Sequence, residues 1–341
     1  GAFTKSAQFP FHFWLPAAME APSPVSAYLH SATMVKAGVY LLARLHPVLG
    51  GTDAWRILLV GIGLITMLAG AAVALHQTDL KRILAYATVS ALGIMVLLIG
   101  IGEVGAIEAA IVYLLAHALY KGALFMIAGG ISHSTGERSV ERLGGLLRIM
   151  PVTAATTIVA ALSLAGLGPA LAFIGKELLF EALLGAPRLA ALLVPAGVLF
   201  GAILTALALI VTVPPFFGRR TEAASHAHES PFGILLGPAV LTILSVVIGV
   251  FPAPVAEGIV SPAVSAVLGE AHTITLALWH GINPALGLSA LSLLGGILLY
   301  RGWKALRRRT SIVEAVLGAA PAQLYDLGMD GLNLLAQVQT R

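Results

Sequence analysis

Long apolar runs are the feature that most constrains how this 341-residue chain can fold. The run ILLVGIGLITMLAGAAVAL, residues 57–75, carries no charge and approaches the roughly 20 residues that an α-helix needs to cross a bilayer. Similar runs recur along the chain, and only 11% of all residues are charged, whereas an ordinary soluble domain is about one quarter charged. The sequence therefore predicts an all-α polytopic membrane protein.

Hydropathy and the positions of Gly and Pro divide the chain into about nine membrane crossings. The crossings are predicted at residues 3–20, 24–46, 54–75, 80–100, 104–131, 151–185, 189–213, 231–251 and 280–300. Residues 311–337 space apolar side chains at helical intervals among Glu314, Asp326 and Asp330. This pattern predicts a C-terminal amphipathic helix that lies along the membrane surface or against partner helices.

Two of the predicted crossings should be discontinuous. Pro10 and Pro16 interrupt the first, and the sequence GLGP at 166–169 interrupts the sixth. Each interruption lies near a lysine, Lys5 or Lys176. Interrupted helices in paired positions indicate a transporter with a duplicated fold, because the freed backbone groups and helix ends can meet ions there.

The basic loop residues predict the orientation of the chain in the membrane. When the crossings are counted, one face receives Lys81, Arg82, Arg138, Arg142, Arg148, Arg219, Arg220, Arg301, Lys304, Arg307, Arg308 and Arg309. The opposite face receives only Arg44, Arg56 and Arg188. By the positive-inside rule the first face, with the amphipathic helix, is predicted to be cytoplasmic in a cell inner (plasma) membrane. The net charge of +4 is then a topology signal and requires no nucleic-acid partner.

Four lysines fall inside predicted crossings, namely Lys5, Lys36, Lys121 and Lys176. A charged lysine at the bilayer centre costs about 2.5–3.5 kcal/mol, so side chains of this kind usually mark ion pathways or proton relays. Burial disfavours the charged form of a lysine and a nearby carboxylate favours it, so the protonation of such a group responds to its neighbours. These lysines therefore predict a buried path for protons.

Histidines and one glutamate extend this predicted relay. His117 lies four residues before Lys121, on the same helical face. His30 precedes Lys36 by six residues, which places the two on different faces of a continuous helix. The complete candidate set is Lys5, His30, Lys36, His117, Lys121, Lys176 and Glu177. The alternative for a lone histidine is a helix-packing hydrogen bond, and the alternative for a lysine is a side chain that snorkels to the interface.

Composition also excludes several kinds of chemistry on this chain. Cysteine is absent, which excludes disulfides, thiolate zinc sites and cysteine-ligated iron–sulfur clusters. The sequence contains no phosphate-binding loop, zinc-binding helix pair or nucleophile elbow. We therefore predict no cofactor, no metal site and no enzymatic centre. The first residue is Gly1 and no signal peptide follows it, so we expect the chain to begin inside a longer protein.

Four stretches carry a resemblance to a known family. They are TKSAQFPFHFWLPAAMEAPSPVSAYLHSATMVKAGVYLLARL at 4–45, DLKRILAYATVSALG at 79–93, HALYKGALF at 117–125 and FIGKELLFEALL at 173–184. They resemble the antiporter-like subunits shared by respiratory complex I and the Mrp-type multisubunit cation/proton antiporters. The resemblance covers nearly the whole chain and implies two inverted five-helix repeats, each with one broken helix, and a lateral helix. It places the end of a truncated first repeat at 1–50, the second repeat at 51–213, additional crossings at 214–310 and the lateral helix at 311–341.

The resemblance also implies roles for individual residues. It matches Lys5 and Lys176 with the broken-helix lysines of two half-channels, and His30 and Lys121 with the central relay between them. The sequence HSATMVKAG, which contains Lys36, is similar to the large A-type chain of Mrp antiporters. The same holds for the glutamate that follows the lysine in GKE at 175–177.

Two positions depart from the family pattern. Tyr113 stands where the family often has a histidine, and a tyrosine does not hold a proton in the same way. The glutamate that partners the first lysine in the family lies on a helix that would precede Gly1. The first half-channel is therefore expected to be incomplete in this chain.

The function implied is that of a proton-translocating subunit in a multisubunit Na⁺/H⁺ antiporter. Its expected partners are other antiporter subunits, protons, Na⁺ or another monovalent cation, and the lipid bilayer. The alternative is a proton-pumping membrane subunit of a complex I-like NADH–quinone oxidoreductase or of a membrane-bound hydrogenase. A third alternative, a membrane scaffold that transports nothing, predicts that neutralising the buried lysines is harmless.

Overall fold

A computed structural model describes residues 1–186, 188–279, 281–310 and 312–339 of the chain, and its regular structure there is helical. The α-helices are α1 (Ala2–Lys5), α2 (Trp14–Ala17), α3 (Ser23–Ala27), α4 (Lys36–Leu49), α5 (Asp53–His76), α6 (Leu80–Ile101), α7 (Val104–Thr135), α8 (Pro151–Leu164), α9 (Leu171–Leu184), α10 (Ala190–Thr212), α11 (Phe232–Val250), α12 (Ala253–Val255), α13 (Ser261–Leu268), α14 (Pro284–Arg309) and α15 (Ala320–Gln339). The predicted all-α class is confirmed for these residues.

Six helices in the described ranges are long and apolar enough to cross a membrane: α5, α6, α7, α10 with the turn that follows it, α11 and α14. They correspond to six of the predicted crossings. The predicted crossings at 3–20, 24–46 and 151–185 are each divided into shorter helices. The structure is thus that of a membrane protein that combines long helices with several interrupted ones.

Helix α6 forms the centre of the bundle, since its most apolar 18-residue window is wholly buried. Asp79 caps its start, because the carboxylate accepts hydrogen bonds from the backbone N–H groups of Lys81 at 2.8 Å and Arg82 at 3.1 Å. Helix α5 packs very closely on α6. A Cβ atom on Gly63 would lie 2.6 Å from the backbone nitrogen of Leu97, so glycine permits the contact.

Both predicted interruptions are confirmed. The chain leaves α1 after Lys5 and turns before α2, and within this turn the Phe9 N–H donates to Thr66 Oγ1 of α5 at 2.9 Å. Helix α8 ends at Leu164 and α9 begins at Leu171. Between them Gly166 has a φ of 67°, a conformation that glycine adopts at little cost.

A third interruption was not predicted. Residues 24–46 were expected to form one continuous helix, but a π-helical turn at Tyr28–Ala32 ends before α4 begins at Lys36. The Ser31 hydroxyl donates to the carbonyl of Ala27, and the Thr33 hydroxyl donates to the carbonyl of Tyr28 at 3.0 Å. Such side-chain hydrogen bonds compete with the regular helical pattern. The expectation of one continuous helix is therefore wrong, and so is the placement of His30 and Lys36 on different faces that was based on it.

The C-terminal part contains one confirmed and one unpredicted element. Helix α15 and the π-helical turn Glu314–Ala319 before it confirm the predicted C-terminal helix, and Leu324, Leu327 and Leu332 are exposed on it. The apolar segment Ala253–Leu268 is also helical, although hydropathy predicted no element there. Residues 280, 311, 340 and 341, at the limits of two predicted segments, lie outside the described residues.

Candidate functional site

Three of the four predicted lysines are buried, and each donates a hydrogen bond to a main-chain carbonyl. The Nζ atoms of Lys36, Lys121 and Lys176 lie 2.9, 3.0 and 3.0 Å from the carbonyl oxygens of Leu114, Leu84 and Ala165, respectively. The exposed fractions of the three lysines are 5%, 0% and 5%. The snorkelling alternative is therefore wrong for these three residues.

The interruption after α8 explains the position of Lys176. Ala165 is the C-terminal cap of α8, where the last carbonyl groups have no partner within the helix. The negative end of the helix dipole also lies there and favours a positive charge. The carbonyl of Ala165 accepts a hydrogen bond from Lys176 Nζ. In a continuous helix this carbonyl would instead accept a backbone N–H, so the break makes it available to the ammonium group.

Lys36 lies at the N-terminal end of a helix, whereas Lys176 binds the C-terminal end of one. It is the first residue of α4, where the positive end of the helix dipole disfavours a positive charge. Its ammonium group reaches across to the carbonyl of Leu114 on α7, three residues before His117. The third interruption thus brings Lys36 to the same helix that carries His117 and Lys121.

His117 and His30 are deeply buried, with exposed fractions of 0% and 1%. Both ring nitrogens of each histidine lack a hydrogen-bond partner among the described protein residues. The ring of His30 lies between the rings of Trp14 and Phe125, at centroid distances of 6.5 and 5.8 Å. Because a buried polar atom is costly without a partner, these four nitrogens are suited to bind water molecules.

Two tyrosines that sequence analysis did not connect lie between His117 and Lys176. The hydroxyl of Tyr120 donates to that of Tyr113 at 3.4 Å, and the ring of Tyr120 packs edge-on against His117 at 5.4 Å. Both tyrosines and Lys176 line an internal cavity of about 20 Å³, a size that holds one water molecule. The sequence did contain a signal for this cluster: residues 113, 117 and 120 follow i, i+4 and i+7 spacing, which places them on one face of a helix.

The remaining candidates differ from this buried group. Glu177 is buried beside Lys176 in the sequence of α9, with 6% exposed, as expected for a relay carboxylate. Lys5, in contrast, is exposed at the end of α1. The expectation that Lys5 is buried is therefore wrong for this chain, because the described residues contribute no element that covers it.

The loop before α11 contributes a carboxylate that sequence analysis did not single out. Glu229 accepts hydrogen bonds from the N–H of Val152 at 2.8 Å and from the Thr153 hydroxyl at 2.5 Å. It thereby caps the start of α8 from a distant segment. Its neighbours His226 and His228 are exposed. The carboxylate of Glu229 thus binds the first turn of α8, and the ammonium group of Lys176 binds the C-terminal end of the same helix.

Comparisons with known proteins identify relatives of this chain. Residues 1–205 match the family described as NADH:quinone oxidoreductase/Mrp antiporter, TM. The chain is 44% identical over 333 residues to the A-type chain of a Na⁺/H⁺ antiporter of Alkalihalophilus pseudofirmus, a match that covers 88% of this chain and 41% of the relative. The A1-type chain of a Na⁺/H⁺ antiporter of Staphylococcus epidermidis is 44% identical over 311 residues, covering 84% and 39%. The chain thus spans about two fifths of the length of the curated relatives it matches.

A solved structure is similar to nearly the whole fold. The Mrp complex of a Dietzia species contains a chain that aligns with a TM-score of 0.85 at 38% sequence identity. The alignment covers 99% of this chain and 37% of the Dietzia chain. The arrangement of helices described above is therefore shared with one part of a protein in that assembly.

Proposed function

This chain belongs to the NADH:quinone oxidoreductase/Mrp antiporter transmembrane family, and on that premise we propose that it translocates protons within a multisubunit Na⁺/H⁺ antiporter. The observation that carries the proposal is the set of buried ammonium groups of Lys36, Lys121 and Lys176. Each is bound to a carbonyl oxygen inside one helical bundle. Intramembrane groups of this kind are retained where charge must move.

The proposed path runs along α7 to the second interrupted helix. A proton passes among Lys36, His117 and Lys121, with His30 nearby, and water molecules join the groups that do not touch. The hydroxyl groups of Tyr120 and Tyr113 and one water in the adjoining cavity connect His117 to Lys176. Each group changes charge in response to the next one. Glu177 stabilises the protonated form of Lys176, since an opposite charge favours it.

We propose that Lys5 completes the path from the other side. Its exposure in this chain suits a residue that meets another part of the full protein. The family resemblance supports this role, since it matches Lys5 with the lysine of the first half-channel. Lys5 and its expected carboxylate partner would then form the first half-channel in the assembled protein.

The repeat organisation and the topology belong to the same proposal. The interrupted helices around Lys5 and Lys176 belong to two inverted repeats, with the first ending near residue 50 and the second spanning 51–213. The six long helices and the three divided segments make nine crossings. Two of these crossings are the additional helices within 214–310, and the lateral helix at 311–341 follows them. The basic loops and the lateral helix face the cytoplasm, and the protein resides in the plasma membrane. The similarity to the Dietzia assembly at a TM-score of 0.85 supports this organisation.

The partners and the driving force follow from the relatives. Both relatives above are described as Na⁺/H⁺ antiporter subunits, which supports cation exchange driven by ion gradients and assembly with other antiporter subunits. This chain then acts as part of a transporter and carries no enzymatic centre. A redox-driven pump is the second candidate, because the family description also includes NADH:quinone oxidoreductases.

Transport by the intact complex in sealed vesicles tests the proposal. A Na⁺ gradient imposed without any electron donor is expected to drive proton movement, measured with a pH-sensitive dye inside the vesicles. Vesicles without the complex give the background. Proton movement that requires an added electron donor such as NADH, and that a Na⁺ gradient does not produce, would contradict the antiporter proposal and support the redox-driven pump.

A further inference from the structure

A pocket of about 510 Å³ lies at the ends of α10 and α14, away from the buried lysines. The loop after α7 closes one side of it. One part of its lining is basic, and consists of Arg219, Arg301 and Lys304. The other part is apolar, and consists of Val140, Leu143, Pro214, Phe217 and Trp303. The pocket therefore combines a cationic edge with an apolar wall.

The three basic side chains of this pocket are exposed and form no ion pair among the described residues. Arg301 and Lys304 lie one turn apart on α14, Arg219 follows α10, and all three are exposed. None of them forms an ion pair within the part of the chain that the structure describes. The carboxylate in the pocket, Glu141, is already bound by Arg307 at 2.9 Å. Three basic side chains thus line the pocket, while its carboxylate, Glu141, is engaged by a fourth cation, Arg307.

Trp303 holds one part of the apolar wall in place. Trp303 is 3% exposed, and its indole N–H donates to the carbonyl of Leu75 at 2.6 Å. Tyr300 is half-buried and also lines the pocket. Helices α10 and α14 are both long enough to cross the membrane, and aromatic residues near the ends of such helices lie among lipid headgroups.

We propose that this pocket binds the phosphate group of an anionic phospholipid, with the glycerol and the first acyl carbons against the apolar wall. Arginine presents donors in a planar fork that fits phosphate oxygens, and basic pockets between membrane helices select anionic headgroups. A zwitterionic lipid fits poorly, because its own cation would lie among three others. The pocket is independent of the proton path, so this proposal stands apart from the transport proposal.

Lipid titration of the intact complex in detergent tests the site. Phosphatidylglycerol is added, and the shift of the thermal unfolding midpoint reports an apparent affinity. Replacing Arg219, Arg301 and Lys304 together by Gln is expected to lower that affinity about 100-fold, since each basic residue near an anionic surface contributes about a fivefold factor. The matched control replaces three exposed cations of the opposite predicted face, Arg44, Arg56 and Arg188, and should leave the affinity unchanged.

Two further arms identify the ligand. Phosphatidylcholine should produce little stabilisation, and inorganic phosphate should bind much more weakly than phosphatidylglycerol, because it cannot use the apolar wall. Equal responses to the two lipids would overturn the proposal, as would an unchanged affinity in the triple variant. Inorganic phosphate that matches phosphatidylglycerol would overturn the lipid assignment and leave a site for free phosphate.

Discussion

The two predicted interrupted helices look alike in sequence but place their lysines in different surroundings. Lys176 is 5% exposed and is held by the carbonyl of Ala165. Lys5 is exposed at the end of α1. Helices α7, α8 and α10 surround Lys176, and the Gly249 region of α11 packs against the carbonyl of Pro169. The difference shows that a lysine at a broken helix is buried only when neighbouring helices enclose the break.

Removing the enclosed ammonium group should have the largest effect. In the intact complex, Lys176→Ala is expected to lower Na⁺-driven proton flux by about 100-fold or more, the usual loss when a proton-transferring group is deleted. Flux in vesicles and the thermal unfolding midpoint are measured together. The unfolding midpoint separates a loss of transport from a loss of assembly, because removing one member of a buried charged pair can itself be destabilising.

The control for this variant is Arg188→Ala, which removes an exposed cation from a loop. It should transport like the wild type. Normal flux in Lys176→Ala would favour the scaffold alternative and would remove the functional distinction between the two interrupted helices.

The shape of the second interruption can be tested with a glycine. Gly166 has a φ of 67°, and a Cβ there would lie 2.4 Å from Cδ of Lys176. Gly166→Ala should therefore displace the lysine, and overpacking of about 1–3 kcal/mol corresponds to a flux loss of up to about 100-fold.

Gly136→Ala is the matched control. Gly136 has a φ of 71°, and a Cβ there would have no neighbour within 4 Å. Both variants should lose about 1–2 kcal/mol of stability through backbone strain, seen as a lower unfolding midpoint. Only Gly166→Ala should lose flux, and equal flux in the two variants would show that the position of Lys176 does not depend on this turn.

The hydroxyl pair beside the enclosed lysine should have an intermediate effect. Tyr120→Phe removes the donor to Tyr113 and is expected to lower flux about fivefold, since one hydrogen bond contributes roughly 1 kcal/mol. Tyr40→Phe is the control, because Tyr40 is 66% exposed. Proton flux is measured in vesicles with matched protein content, where Tyr120→Phe should be slower and Tyr40→Phe should match the wild type. If Tyr120→Phe transports normally, His117 and Lys176 communicate by another route.

The cap at the far end of α8 should have the smallest effect. Glu229→Ala removes the acceptor for the N–H of Val152 and should cost about 1 kcal/mol of stability, as cap deletions do. Flux per assembled complex should be nearly unchanged. Glu222→Ala, an exposed change in the same loop, should alter neither quantity. A large loss of flux in Glu229→Ala with normal stability would mean that this carboxylate takes part in ion movement.

Much of the fold and part of the site could be predicted because local sequence carries the signal. Apolar runs predicted the long helices, and Pro10, Pro16 and the GLGP motif predicted two interruptions. The third interruption could not be predicted in this way, since residues 28–35 contain neither Gly nor Pro. It depends on the hydroxyl groups of Ser31 and Thr33, whose alternative bonds are set by the surrounding packing.

The sequence by itself determined that this protein lies in a membrane and that its buried lysines need partners, because hydropathy and the cost of a buried charge depend only on residue type. Only the tertiary structure decided which partners they have. The carbonyls of Leu114 and Leu84 belong to helices 78 and 37 residues away from Lys36 and Lys121. Glu229 caps a helix 77 residues away. Such contacts arise from how helices pack, and no local pattern encodes them.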